Sequence, residues 1–171
     1  MGAPPAAGPP SNREAPSEQR LRASRQLLFF ARLSFFLVGT LPWWLPFAEA
    51  YLPLGPVWLL VDLPFAAICH RLPDRTIELS GVAMPLCSRC AGIFAGLALG
   101  VLTCWPRLAL RQARFALLGA GLLLVADIVT QDLGWHPMWH STRLLTGALL
   151  GYVAAIALMS AIIRERKLDP G

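Results

Sequence analysis

Three cysteines and a histidine carry the sharpest chemical signal in this chain. Cys69 and His70 are adjacent, and Cys87 and Cys90 follow as a C-x-x-C pair, giving C-H-x16-C-x2-C. Thiolate and imidazole are the ligand types zinc takes, and a C-x-x-C pair grips one ion from a turn or a helix start. The expected metal ligands are therefore Cys69, His70, Cys87 and Cys90, with zinc the expected ion. Adjacent residues need not both reach one ion, and in that case His136 or His140 could supply the fourth ligand. The same pair also admits redox chemistry. Ser88-Arg89-Cys90 opens an apolar run, and a helix N-terminus beside an arginine lowers a thiol pKa. A plain structural disulfide is the third reading, while Cys104 reads as an ordinary buried thiol.

A second group is polar where polarity is costly. Asp127 lies thirteen residues into a helix that starts at Arg114, about 20 Å up a hydrocarbon core of about 30 Å. Gln131 is one turn further along the same face. An ionisable residue inside a span faces the bundle and has a partner, and Arg143, entering the next helix from the same side, is the expected one. This trio reads either as a structural clasp or as a polar path for a proton or small solute.

The elements that must position these residues follow from composition. The chain has 171 residues, 15 Lys+Arg against 10 Asp+Glu, 56% hydrophobic residues and 15% charged, with a mean hydropathy of +0.54. Soluble domains are about a quarter charged, so a water-soluble globule is disfavoured, and no collagen period is present. The basic residues fall in clumps between apolar stretches rather than in one patch. That pattern reads as cytoplasmic membrane flanks and excludes nucleic acid as a partner.

The expected class is an all-α integral membrane helical bundle: four spanning helices plus one short re-entrant or spanning segment. Residues 1–26, rich in proline and charge, are expected to be a disordered cytoplasmic tail. Residues 27–164 form the multi-spanning domain, and 165–171 a short basic cytoplasmic tail. Leu27 to Phe47 is the first span, ending in the interfacial pair Trp43-Trp44. Ala48-Glu49-Ala50 has the form of a cleavage site, but the basic region ahead of it is too long for a usual signal peptide. Val57 to Ile68 is too short for a span and carries Asp62. Cys90 to Trp105, Phe115 to Leu133 and Leu144 to Ile163 complete the set. Treating Val57–Ile68 as re-entrant keeps Arg107–Arg114 and Arg164–Lys167 inside, so both termini are expected to be cytoplasmic in a prokaryotic plasma membrane. The cysteines, Asp127 and Arg143 then share one membrane face. Gly92, Gly96 and Gly100 recur on one helix face, as do Gly147 and Gly151 on another. That spacing lets backbones approach in lipid, within the chain or in a homo-oligomer.

At these residues the chain resembles a known family. Ile68-Cys-His-Arg-Leu-Pro-Asp-Arg75 and Pro85-Leu-Cys-Ser-Arg-Cys-Ala-Gly-Ile-Phe-Ala-Gly96 are similar to the signature of the small prokaryotic membrane proteins called domain of unknown function 2085. Asp127, Gln131 and the Arg143-Leu-Leu-Thr-Gly147 start of the last helix continue the likeness. Thr76 and Phe94 depart from it, where Ser and Tyr are usual. The resemblance implies a multi-spanning membrane protein with a shared cysteine-rich site and implies no activity. Three functions stay open: a Cys/His metal-binding membrane protein, a thiol-disulfide oxidoreductase using Cys87 and Cys90 with a quinone as cofactor, or a small transporter.

Overall fold

A computed structural model describes residues 15–52, 55–103, 109–135, 137 and 139–168. Cys104, His136 and residues 1–14 lie outside the described residues, and positions 15–26 of the expected disordered tail are helical, where hydrogen bonding continues back from the first apolar run. The elements run α1 (Ala15–Tyr51), α2 (Val57–Ile68), β1 (Thr76–Leu79), β2 (Val82–Cys87), α3 (Ser88–Thr103), α4 (Leu110–Asp132) and α5 (His140–Leu168). The chain divides into two units, 1–33 and 34–171. The described part of the first is the leading stretch of α1, which leaves Leu27, Phe29 and Phe30 exposed. The second carries every other element.

Three helical stretches, Arg25–Tyr51, Arg111–Asp132 and His140–Arg164, are long and apolar enough to cross a bilayer, while α2 and α3 are shorter apolar helices. Large apolar side chains cover the outside of these helices. Leu118, Leu122 and Leu123 on α4 and Leu59 and Leu60 on α2 are all more exposed than buried, a surface that suits hydrocarbon and not water.

The segment between α2 and α3 departs from the all-α expectation. It folds as an antiparallel hairpin, with Leu79 opposite Val82, Glu78 opposite Ala83 and Thr76 opposite Cys87. Ser80 and Gly81 make the turn, at φ 55° and 77°. Two left-handed residues in a two-residue loop match the twist of the flanking strands. Between the Glu78 and Thr76 pairings β2 takes more residues than β1. The excess falls around Pro85, which has no N–H to give to a ladder.

Glycine decides how α3 meets α5. A Cβ added to Gly92 would stand on the Leu144 carbonyl oxygen, and one on Gly96 would stand on that of Ala148. In return, Gly147 sits on the carbonyl oxygen of Arg89 and Gly151 on that of Ile93. Further along, a Cβ at Gly100 would come within 2.6 Å of the Ala155 methyl. The two glycine stripes expected from spacing are therefore spent on each other within the chain, where dispersion contact replaces the absent hydrophobic drive. The Thr103 hydroxyl donates to the Tyr152 oxygen at 3.1 Å and ties the end of α3 to the middle of α5.

Candidate metal centre

Each cysteine is delivered by an element boundary. Cys69 closes α2, its N–H donating to the Phe65 carbonyl at 3.0 Å. Cys87 ends β2, and Cys90 lies in the first turn of α3. The hairpin brings positions 69 and 87 together. The three sulfurs lie within 4.8 Å of one another, and none is joined in a disulfide. A tetrahedral ion with metal–sulfur bonds of about 2.3 Å sets its ligand sulfurs about 3.8 Å apart, so closing the group on an ion needs only small side-chain shifts. Phe65, Leu86, Leu45 and Phe94 pack against the cluster, and the Phe65 and Phe94 rings meet edge to face at 6.1 Å. The sulfurs thus sit at the edge of a dry core.

Two features favour thiolate there. The Cys87 backbone N–H donates to the Cys69 sulfur at 3.3 Å, the kind of outer contact that orients a ligating sulfur. A hydrogen bond from the Cys90 thiol then holds the Cys87 pKa down to about 4 against the ordinary 9.0, with burial opposing the shift. Of the pair, Cys87 is therefore the one expected to carry the thiolate in the neutral range. In metal-free protein its alkylation rate is therefore expected to stay flat between about pH 6 and 8, where an ordinary thiol speeds up by roughly two orders of magnitude. Stopped-flow alkylation of the metal-free protein, with the modified cysteine assigned by mass spectrometry, checks this, and a steep climb with pH at Cys87 contradicts it.

His70 is exposed although Cys69 beside it is buried. The backbone at Cys69 is extended, with φ −141° and ψ 131°, and successive side chains of an extended strand point to opposite sides. The cluster therefore comprises three sulfurs, with His70 on the rim of the adjoining cleft. His140 is exposed at the start of α5.

The intramembrane polar group includes an arginine that the sequence reading did not assign to it. The Arg89 guanidinium donates to Asp127 at 2.6 Å and to the Gln131 side-chain oxygen at 3.3 Å. Gln131 and Thr146 stand 3.5 Å from the same carboxylate. Arg89, read from sequence as a neighbour of the thiols, reaches across to α4 because it sits one residue before Cys90 in the opening turn of α3. Arg143 is 2% exposed and lines the same cleft as Arg89. A second pair, Arg71 with Asp62, explains how a short apolar helix carries an aspartate, since Arg71 also donates to the Asp62 carbonyl at 2.8 Å.

The cleft has a volume of about 230 Å³, and its walls include Cys69, Cys87, Cys90, Arg75, Arg89 and Arg143. A larger groove of about 470 Å³ shares Arg71 with it but has no cysteine in its lining. The three cysteines line only the smaller of these two.

Long apolar helices and a cysteine cluster held at their ends define a polytopic helical membrane protein. The family described as "Predicted membrane protein (DUF2085)" matches residues 69–157, from the first cysteine through most of α5, and the chain belongs to that family. The chain is 25% identical over 100 residues to an uncharacterised protein of Methanocaldococcus jannaschii, covering 56% of this chain and 64% of that one. It is 31% identical over 109 residues to an uncharacterised protein of Methanothermobacter thermautotrophicus, covering 62% of this chain and 96% of that one. The chain therefore spans under two thirds of the first relative and nearly all of the second. No solved structure matches.

Proposed function

We propose that this is a membrane protein whose cysteines 69, 87 and 90 hold a soft metal ion, zinc being the ion that suits the ligand set best. The proximity of the three sulfurs carries this reading. Thiolates so close together repel each other, and a bound cation relieves that repulsion. In this reading the hairpin is the clamp that sets the bite, and the apolar packing of Phe65 and Phe94 slows exchange with water. His70 is a candidate fourth ligand only if its side chain turns inward; otherwise the fourth position is open.

Protein extracted from membranes without chelator is expected to carry close to one zinc per chain. Replacing Cys87 and Cys90 together with serine should reduce that to background in elemental analysis. Two thiols missing until a reductant is added, with no metal present, would overturn the reading in favour of a disulfide.

We also infer that α1, α3, α4 and α5 cross the bilayer, with α2 a half-span and both termini cytoplasmic. α3 lies along α5 from Gly92 to Gly100, so it occupies the depth of a helix long enough to span. Its 16 residues rise about 24 Å. The clumps Arg111–Arg114 and Arg164–Lys167 then fall on the inside, as the basic-residue bias favours. Cysteine labelling of residues in the hairpin turn, from either side of sealed vesicles, tests it: access from the inside contradicts this arrangement.

A further inference from the structure

The wall around the three sulfurs is unusually cationic. Arg71, Arg75, Arg89 and Arg143 all line the cleft, and no carboxylate does. The carboxylates nearby sit behind the wall, Asp62 on Arg71 and Asp127 on Arg89. A divalent ion on three thiolates carries one net negative charge, and the two aspartates add two more. These sit against four guanidiniums, with Asp62 and Asp127 each already engaged by one of them. Arg75, which joins neither pair, adds guanidinium N–H groups to the cleft wall that suit an anion. Arg71 and Arg89 add a second observation: each keeps its Nε–H buried with no acceptor among the described residues, and buried donors of that kind call for a partner.

We propose that the cleft binds a small anion that fills the fourth coordination position of the metal and is held by these arginines. This rests on the metal reading above and deepens it. Three protein ligands and one exchangeable position are the pattern of a site where chemistry occurs, whereas a purely structural zinc site is closed by four protein ligands. A guanidinium fork recognises oxyanions and carboxylates through paired N–H groups. At about 230 Å³ the cleft falls below the pockets of about 300–1,000 Å³ that take drug-sized ligands. The ligand class is therefore a small soluble anion with a donor atom for the metal, such as a carboxylate, a thiolate or an inorganic oxyanion. Arg75 ends the short 3-10 turn Pro73–Arg75 and is not in either ion pair, so it is the arginine whose removal disturbs the fold least.

Cobalt substitution tests this, because cobalt bound to cysteine shows sulfur-to-metal absorption and visible bands that respond to coordination. The full-length protein in detergent is loaded with Co²⁺ and titrated with azide. Saturable changes in the visible bands are expected. Arg75→Gln is expected to weaken azide binding by about tenfold with the cobalt content per chain unchanged, and Arg75→Lys by less. Absence of sulfur-to-cobalt absorption would overturn the metal reading and this one with it. Strong sulfur-to-cobalt absorption that azide leaves unchanged would overturn the anion site alone. Equal azide affinity in wild type and Arg75→Gln would remove the arginine wall from recognition.

Discussion

Gly96→Leu is expected to prevent the helices from assembling at all. Gly96 lies against the Ala148 carbonyl oxygen, with the Tyr152 nitrogen 2.8 Å from where a Cβ would be. These neighbours are backbone, which cannot rotate aside as a side chain can. A leucine there forces α3 and α5 apart along the whole glycine stripe, and the cost exceeds about 3 kcal/mol, the upper end of ordinary overpacking. Stability of a domain is only about 5–15 kcal/mol, so aggregation during purification is the expected readout. Gly151→Leu should behave the same way from the opposite helix. Gly119→Ala on α4 is the matched control. Nothing lies within 4 Å of its Cβ position, and the alanine should be neutral or gain up to about 1 kcal/mol from helix propensity. A Gly96→Leu protein that melts with the wild type would rule out the α3–α5 apposition.

Asp127→Ala is the second large effect. The Arg89 and Asp127 side chains are 13% and 7% exposed, so the substitution leaves a guanidinium with little access to water. Breaking a buried pair from one side costs about 3–5 kcal/mol. Replacing both partners with apolar residues of similar bulk, Arg89→Met with Asp127→Leu, removes the orphaned charge and is expected to recover most of the loss. Thermal unfolding in detergent of the single and double variants measures this. A double variant no better than the single would mean that the orphaned Arg89 charge is not what destabilises Asp127→Ala.

Much of this was legible one residue at a time. The membrane class came from apolar runs, the cysteine cluster from ligand types and spacing, and the glycine packing from a four-residue period. Asp127 and Gln131 share a face because helix geometry makes positions i and i+4 neighbours. The hairpin was less visible, because Thr76–Leu79 and Val82–Cys87 are short and the second contains a proline. Ser80-Gly81 was the available signal, a turn dipeptide between two partly apolar runs. Arg89 as the partner of Asp127 was not readable, since the sequence separates them by 38 positions and offered Arg143 at a similar height. Choosing between two cations needs the rotation of α3 about its own axis, which is set by its glycines seating on α5. His70 was read as a ligand from its imidazole and its place beside Cys69. The extended backbone at Cys69 is what turns it outward.

The three sulfurs all come from the stretch between positions 69 and 90, closed by a hairpin of nearest-neighbour strands. Arg143, which lines the cleft, and Asp127, which sits behind Arg89, belong to helices made later. Chains are synthesised from the N-terminus at about 5–20 residues per second. The cluster can thus close seconds before α4 and α5 leave the ribosome, while its cleft is still open on one side. Biogenesis then has a natural order: the sulfurs gather first, and the last helix to insert seals them by seating Gly147 against Arg89.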